Sequence, residues 1–279
     1  MRHRSDIQPL LEFAIEVAKQ AGELLREYNR LRPRQVTSKG SAVDLVTEAD
    51  LASERLILGR LRQHYPDHAV LSEEAQGELP AQGPAWVVDP LDGTVNFAHG
   101  YPVFSVTLAF FQDGAVQLGV TYDPLREELF WAQRGQGAWC NGQRLQVSAT
   151  AELGRSLLGT GFQYDRATNP DNNLAEFSYF VTRTRGVRRG GSAALDLAWV
   201  ASGRMDGFWE KGLNPWDTAA GQVLIEEAGG RITTYSGAAW HPRVRNLVAS
   251  NGVPAFHAAL VEGIRIARQG LPPLSAPYA

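Results

Sequence analysis

Cysteine is nearly absent from the 279 residues, with Cys140 as its one occurrence. A single thiol cannot form a disulfide framework or a thiolate metal cluster within the chain, so the composition favours a reducing compartment. A large excess of positive or negative charge is also lacking. The chain has 27 Lys and Arg and 30 Asp and Glu, which leaves a formal charge of −3. So small a net charge produces no long-range field for nucleic acid or an anionic membrane. Any acidic ligand must therefore be held by local chemistry or by a metal.

Long apolar runs are missing as well. The longest uncharged and mostly apolar stretch in the first half of the chain, residues 101–112, is well short of the roughly 20 residues that a spanning helix needs. The N-terminus carries Arg2 and Arg4, and the apolar residues beyond it are interrupted by Glu12 and Glu16, so no signal-peptide core is expected. These absences predict a cytoplasmic protein with no membrane association.

The hydrophobic pattern predicts a mixture of helices and strands. Apolar residues recur with helical spacing from Ile7 to Tyr28, which predicts a long amphipathic helix. Thr47 stands three residues before Asp50 in the manner of a capping box, so a second helix is expected to run from there to about His64. Further candidates are short strands at 69–71, 86–88, 103–111, 115–122, 128–132 and 156–161, and helices at 193–201 and 216–227.

Two carboxylates, Asp89 and Asp92, follow an apolar strand and are separated by a turn that Pro90 stiffens. Gly93 lets the backbone approach an anion closely, and Thr94 supplies a hydroxyl. A metal site at a strand end needs these residue types. Asp, Pro and Gly are equally the residues of an ordinary turn between two strands. The segment alone leaves both interpretations open.

Three other acidic segments each have a structural explanation too. They are Ser72-Glu73-Glu74, the run from Asp44 to Asp50, and Asn214-Pro215-Trp216-Asp217. A pair of glutamates is usually solvated, Asp50 is placed to cap a helix, and Asp217 is placed to complement a helix dipole. Any one of them alone is more easily explained by structure than by function.

Together these segments resemble the inositol monophosphatase family, through its Glu-Glu, Asp-Pro-Leu-Asp-Gly-Thr and Trp-Asp-x-Ala-Ala-Gly motifs in that order. The resemblance extends from Lys39 to Gly230 and is closest to the bacterial branch around residues 191–197. It implies the α/β/α/β/α sandwich of the inositol monophosphatase and fructose-1,6-bisphosphatase superfamily. It further implies an N-terminal lobe over about residues 1–150 with most metal ligands, a C-terminal lobe over about 151–279 with Asp217 and the substrate contacts, and a homodimer.

The resemblance also implies two to three Mg²⁺ ions in each active site. One is held by Glu73, Asp89 and the carbonyl oxygen of Leu91, a second by Asp89, Asp92 and Asp217, and a weaker third lies near Glu73. All of these ligands are oxygens, which Mg²⁺ prefers. Four carboxylates balance two Mg²⁺, and a phosphate monoester adds about two negative charges, which is consistent with a third cation. Lithium sensitivity is implied through displacement of the weaker metal.

The implied reaction is hydrolysis of a phosphate monoester by a metal-activated water, without a phosphoenzyme. By resemblance, Glu73 and Thr94 position and deprotonate the water, and Asp50 accepts a hydrogen bond from Thr94 to form a relay. The backbone amides of Gly93 and Thr94 are expected to hold the phosphate. The Asp-x-x-Asp spacing differs from the Asp-x-Asp of the aspartyl-phosphate class, which argues for water rather than a carboxylate as nucleophile.

Substrate contacts are implied by the family at Asp92, Gly93, Thr94, Gly191, Ser192, Ala193 and Glu210. The presence of Glu210 favours a small phosphorylated polyol such as inositol 1-phosphate. The same carboxylate would pair equally well with the ammonium of histidinol phosphate, and other small sugar or nucleotide phosphates stay open. Lys39 matches a mobile-loop lysine of the family that approaches the metal site, although an exposed lysine beside glycine is ordinarily solvated.

A binding function of another class is also open, because some bacterial members of the family bind RNA polymerase or antitermination factors. Arg183, Arg185, Arg188 and Arg189 form a basic cluster that would suit nucleic acid or an acidic partner. The same arginines suit a solvated strand edge that resists aggregation. The slightly negative net charge and the lack of interleaved aromatic residues favour the strand edge.

Overall fold

A computed structural model describes residues 7–31, 36–38, 45–75 and 77–269 of the chain. Its helices are α1 (Gln8–Leu31), α2 (Glu48–His64), α3 (Thr94–His99), α4 (Leu174–Val181), α5 (Ala193–Ala201), α6 (Pro215–Glu227) and α7 (Pro254–Ala267). Its strands are β1 (Val36–Ser38), β2 (Leu45–Thr47), β3 (Ala69–Ser72), β4 (Pro84–Asp92), β5 (Ser105–Gln112), β6 (Ala115–Asp123), β7 (Glu128–Gln133), β8 (Gly137–Cys140), β9 (Gln143–Arg144), β10 (Leu157–Thr160), β11 (Gly186–Arg188), β12 (Gly207–Lys211), β13 (Arg231–Thr233) and β14 (Asn246–Ser250).

These elements stack as five layers around two sheets. The first sheet has the strand order β3-β4-β5-β6-β7-β8-β9 and the second β11-β10-β12-β14-β13, while β1 and β2 form a separate antiparallel pair. Helices α1 and α2 cover the outer face of the first sheet, α5 and α6 lie between the sheets, and α4 and α7 cover the outer face of the second. The α/β/α/β/α architecture is therefore confirmed.

The two sheets divide the chain in sequence but share a core. The strands of the first sheet precede residue 150 and those of the second follow it. One cluster of buried apolar side chains nevertheless runs from the first sheet through α5 and α6 to the second, and the lobe boundary near residue 150 stays a prediction. Among the described residues, no helix combines the length and the apolarity that crossing a bilayer requires.

Local sequence signals account for the helices that were predicted. Helix α1 buries one stripe of residues at helical spacing against the first sheet. Helix α2 begins with the expected capping box, in which Asp50 Oδ2 accepts from the Thr47 amide at 2.8 Å while the Thr47 hydroxyl oxygen accepts from the Asp50 amide. The helices at 193–201 and 216–227 and the strands from β3 to β7 are also confirmed, whereas α4, α7 and the three- to five-residue strands β11 to β14 were not predicted.

The structure corrects the interpretation of the segment from Asp89 to Asp92. It is not a turn after a strand, because β4 continues through it and pairs with β5 on both sides of a register shift. Pro90 has no amide hydrogen for the sheet, and a bulge is where an inner strand tolerates proline. The bulge lets the pairing continue, so both carboxylates belong to one buried strand.

Strand β6 and helix α6 approach each other closely at Gly119. A Cβ atom at this position would lie 2.6 Å from Ala220 Cα and 2.8 Å from its carbonyl oxygen. Both contacts are with backbone, which cannot swing aside as a flexible side chain can. The absence of a side chain at Gly119 therefore sets the spacing between the first sheet and the middle helical layer.

We expect Gly119→Ala to lower the free energy of unfolding by about 1–3 kcal/mol, because the added methyl overpacks the junction of β6 and α6. Gly59→Ala is the matched control, since Gly59 lies exposed in α2 with no heavy atom within 4 Å of the new Cβ. This control should stabilise the protein by up to about 1 kcal/mol through helix propensity. Urea denaturation measures both, and equal effects of the two substitutions would contradict the packing argument.

Candidate functional site

A cavity of about 340 Å³ is lined by elements from both halves of the chain. It gathers most of the residues that the sequence singled out: Glu73, Asp89, Leu91, Asp92, Gly93, Thr94, Gly191, Ser192, Ala193, Glu210 and Asp217. Asp50 lies behind this wall, where its Oδ1 accepts from the Thr94 hydroxyl at 2.9 Å. Lys39, the proposed mobile-loop lysine, lies outside the described residues.

Four carboxylates on the cavity wall come from three parts of the fold. Asp89 and Asp92 lie on the bulged end of β4, and Asp217 is the third residue of α6. Glu73 directly follows β3, and its amide donates to the Val88 carbonyl of β4 at 3.3 Å. Pairing of β3 with β4 therefore brings Glu73 beside the two aspartates, and α6 adds Asp217 from the second half of the chain.

Asp92 is anchored through one of its two oxygens. Its Oδ2 accepts from the Ala194 amide at 3.0 Å, from the Ser105 hydroxyl at 3.3 Å, and from the Ser192 hydroxyl. These three hydrogen bonds use Oδ2, and Oδ1 takes part in none of them. The start of α5 thus fixes the orientation of this carboxylate on the cavity wall.

Local backbone amides orient two more of the carboxylates. Asp89 Oδ1 accepts from the Leu91 amide at 3.0 Å. Asp217 Oδ2 accepts from the Asn214 amide at 2.6 Å, which completes the capping box at the start of α6. Asp217 therefore lies in the first turn of α6, where the sequence placed it to complement the helix dipole, and on the cavity wall as well.

Burial and mutual repulsion disfavour the ionised forms of these acids. Burial raises the pKa of Asp89 well above its usual range, and repulsion from Glu73, Asp92 and Asp217 raises the pKa further. Burial likewise raises the pKa of Asp217, again with Glu73 as the strongest repelling charge. The pKa of Asp92 is raised by burial although its hydrogen bonds oppose the shift. The wall consequently favours a positive counter-charge.

The donor chemistry of this wall fits a hard divalent cation. It offers carboxylate oxygens and the Leu91 carbonyl, to which Thr94 donates at 3.1 Å, and Mg²⁺ prefers oxygen ligands of these kinds. Within the described part of the chain, however, no three His, Cys, Asp or Glu side chains converge closely enough to hold a metal as they stand. Binding one would therefore require these side chains to move closer together.

Asp50 combines helix capping with a contact to the cavity. Its Oδ2 closes the α2 capping box with Thr47, and its Oδ1 holds the Thr94 hydroxyl. Burial raises the pKa of Asp50 to about 6, against the opposing effect of these hydrogen bonds. A carboxylate with this pKa is mostly ionised at pH 7 and close enough to neutrality to accept a proton.

A second acidic pair, Glu210 and Asp196, lines another part of the cavity, and Asp196 was not predicted. Burial raises the pKa of Glu210 to about 8, with Asp92 adding to the shift and Arg189 opposing it. The pKa of buried Asp196 is raised well above its usual range by burial and by Glu210, and its Oδ1 has no hydrogen-bond partner among the described residues. One signal was available, because Asp196 is the single charged residue of the helix Ala193–Ala201.

The basic cluster divides between the cavity and the protein surface. Arg189 lines the cavity wall, although the sequence grouped it with a partner-binding patch. Arg188 ends β11, the edge strand of the second sheet, and Arg183 and Arg185 precede that strand on exposed backbone. Arg183 also stacks over the Tyr179 ring at 4.2 Å.

Comparison with known proteins adds an independent observation. A model described as the inositol monophosphatase family matches residues 6–269. The chain is 46% identical over 250 residues to an inositol-1-monophosphatase of Synechocystis sp., covering 89% of this chain and 86% of that protein. It is 45% identical over 251 residues to the Nus factor SuhB of Pseudomonas aeruginosa, covering 88% and 92%. The solved inositol monophosphatase from Anabaena (Nostoc) sp. PCC 7120 has a TM-score of 0.84 at 43% identity, covering 94% of this chain and 97% of that one.

We expect Glu210→Gln to raise the melting temperature of the EDTA-treated protein at pH 9 but not at pH 5. The pKa of Glu210 is about 8 in the fold, above its ordinary 4.5, so the folded state loses relative stability as pH rises between these values. Removing the charge should raise the pH 9 melting temperature by at least about 2–4 °C, the shift that about 1 kcal/mol produces in large domains.

The control for this prediction is Glu152→Gln. Glu152 is exposed, so its charge is not buried by folding. It should change the melting temperature at neither pH. If Glu210→Gln had the same effect at pH 5 and pH 9, the burial of its charge would not be the cause.

Proposed function

Because the chain belongs to the inositol monophosphatase family, we propose that it is a Mg²⁺-dependent phosphomonoesterase that hydrolyses inositol 1-phosphate to inositol and phosphate. Phosphatase chemistry is what the family membership supports. The observation that carries the proposal to this site is the set of four carboxylates on one cavity wall, beside a threonine hydroxyl held by a buried aspartate.

Mg²⁺ would be held by Glu73, Asp89, Asp92, Asp217 and the Leu91 carbonyl oxygen. When bound, Mg²⁺ supplies the positive charge that polarises a phosphoryl group and lowers the pKa of water. The protein's own contribution at this wall is orientation, because hydrogen bonds from local amides and hydroxyls fix one oxygen of Asp89, Asp92 and Asp217.

The proton of the attacking water would leave through the pair of Thr94 and Asp50. The Thr94 hydroxyl accepts from the water and donates to Asp50, whose pKa near 6 suits it to receive the proton. The new bond forms between the water oxygen and phosphorus, and the bond from phosphorus to the alcohol oxygen breaks. The alcohol then takes up a proton, so the products are inositol and hydrogen phosphate.

The other parts of the cavity favour a polyol as leaving group. The backbone amides of Gly93 and Thr94 lie at the start of α3, where we place the phosphate. Glu210 lines the same cavity with a pKa near 8, and in its protonated form it both donates to and accepts from hydroxyl groups. The same group in its ionised form would pair with an ammonium, so histidinol phosphate is the alternative substrate, ahead of other sugar and nucleotide phosphates.

Phosphate release with inositol 1-phosphate should depend on Mg²⁺, stop in EDTA, and fall by more than about 100-fold in Asp92→Asn. Mutating a residue that only hydrogen-bonds to a metal ligand typically lowers metal affinity or activity about 10–100-fold. Mutating a ligand itself should lower the activity further. The measurement compares inositol 1-phosphate, histidinol phosphate, fructose 1,6-bisphosphate and 3′-phosphoadenosine 5′-phosphate. Millimolar Li⁺ should inhibit the reaction, and a homodimer is the expected state of the enzyme.

The control is Asp67→Asn, an exposed aspartate outside the cavity, which should leave the rate nearly unchanged. If histidinol phosphate is hydrolysed fastest, it is the substrate in place of inositol 1-phosphate, and the proposed mechanism is unchanged. Release of phosphate from none of the four compounds, with the protein folded and Mg²⁺ present, would reject the phosphatase proposal.

A second candidate function is binding to the transcription machinery. Its support is the name of the Pseudomonas aeruginosa relative, Nus factor SuhB, together with the exposed arginines beside the edge strand β11. Such a function would use Arg185 and Arg188 on the surface and would not need the carboxylates of the cavity.

The two functions separate by mutation. We expect Asp92→Asn to lose hydrolysis and to keep any binding to purified RNA polymerase, whereas Arg185→Glu with Arg188→Glu should lose binding and keep hydrolysis. Association measured at low and physiological salt tests this, because contacts between exposed charges weaken as salt rises. The binding candidate is rejected if the wild-type protein shows no association at either salt concentration.

A further inference from the structure

One side of helix α2 holds three segments of the cavity at once. Asp50 Oδ1 accepts from Thr94 at 2.9 Å. One turn later, the Ser53 hydroxyl donates to the Pro90 carbonyl at 2.7 Å, inside the β4 bulge. The next residue, Glu54, faces the segment that carries Glu73. The first two contacts reach the segment from Asp89 to Thr94. The third reaches the segment that carries Glu73, and the proposed mechanism gives Glu54 no part.

Glu54 connects both ends of the short segment Glu73-Glu74 through a single oxygen. Its Oε1 accepts from the Ser72 hydroxyl and from the Ala75 amide, the latter at 2.8 Å. Glu54 is 8% exposed and Ser72 is fully buried, so water does not compete for the hydrogen bond between these two side chains. The two donors are the residues immediately before and after the glutamate pair.

Two independent attachments therefore fix the backbone from which Glu73 extends. The Glu73 amide donates to the Val88 carbonyl at 3.3 Å, next to Asp89 on β4. The flanking residues are held by Glu54 on α2. Glu54 itself does not line the cavity, so its contribution to the site passes through the segment that it holds.

We propose that Glu54 is a positioning residue, which holds the Glu73-Glu74 segment in the backbone geometry that lets Glu73 bind Mg²⁺. The inference rests on the proposed function, because it takes Glu73 as a metal ligand. A single carboxylate oxygen of Glu54 receives both of these hydrogen bonds. Without it, the segment keeps its attachment to Val88 and loses the attachments on both sides of the glutamates.

Asp206 offers a matched site elsewhere in the fold. It is also a carboxylate that is 8% exposed, and it accepts from the Ser148 hydroxyl at 2.6 Å and the Leu157 amide at 2.7 Å. It does not line the cavity. Replacing Asp206 removes an acceptor for one hydroxyl and one backbone amide, as replacing Glu54 does. A variant at Asp206 therefore shows the effect of lost stability alone, without an effect on metal binding.

The experiment measures the Kd for Mg²⁺ of the purified full-length chain by isothermal titration calorimetry, with the melting temperature recorded alongside. Glu54→Met keeps the bulk of the side chain without the acceptor and should weaken Mg²⁺ binding about 10- to 100-fold, the usual effect of losing a partner of metal ligands. Glu54→Gln keeps an acceptor oxygen and should recover most of the affinity. Asp206→Leu should lower the melting temperature as Glu54→Met does and leave the Kd unchanged.

A smaller change keeps the test decisive if Glu54→Met fails to fold. Ser72→Ala removes one donor to Glu54 and should weaken Mg²⁺ binding measurably, while Ser148→Ala, which removes the equivalent donor to Asp206, should not. An unchanged Kd in Glu54→Met or Ser72→Ala, or an equal loss in the Asp206 and Ser148 variants, would overturn the positioning role. A wild-type chain that binds no Mg²⁺ would instead overturn the proposed function, and this inference with it.

Discussion

The site depends on four carboxylates that share one cavity wall. Burial, and then repulsion from neighbouring carboxylates, disfavours the ionised forms of Asp89 and Asp217, so the pKa values of these two lie well above their usual range. The fold offsets part of this cost with backbone amides, which bind one oxygen of Asp89, Asp92 and Asp217. The offset is incomplete, because the pKa values stay raised. A wall with this composition favours a positive counter-charge and adds little to stability by itself.

Two of the acids at the site also begin helices. Asp50 is the third residue of α2 and Asp217 the third residue of α6, and each binds the N-cap amide of its helix through Oδ2. A carboxylate has two oxygens, so capping leaves a second one for another contact, and in Asp50 it holds Thr94. Helix capping and a place at the cavity are therefore not alternatives at these positions. The helix starts also limit how far either side chain moves, which orients the site at little additional cost in conformational entropy.

Features that depend on contacts between residues close in sequence could be predicted, whereas features that depend on distant residues could not. The capping box of α2 and the helical periodicity of α1 are local, and both were predicted from the sequence. The segment from Asp89 to Asp92 has the composition of a turn, and pairing with the distant β5 keeps it in a strand. The part played by Glu54 is not readable locally either, because its partners Ser72 and Ala75 are 18 and 21 residues away. Asp196 illustrates a missed signal, a lone carboxylate within an apolar helix.

The middle helical layer connects the packing of the fold to the geometry of the site. Helix α5 donates to Asp92 from the Ala194 amide, and α6 carries Asp217. The two helices meet at Gly221, where a Cβ atom would lie 2.4 Å from Leu197 Cδ1. Because α6 also rests on the first sheet at Gly119, the separation of Asp92 and Asp217 is set by close contacts among apolar residues. Packing in the middle layer thus positions the elements that carry Asp92 and Asp217 on the cavity wall.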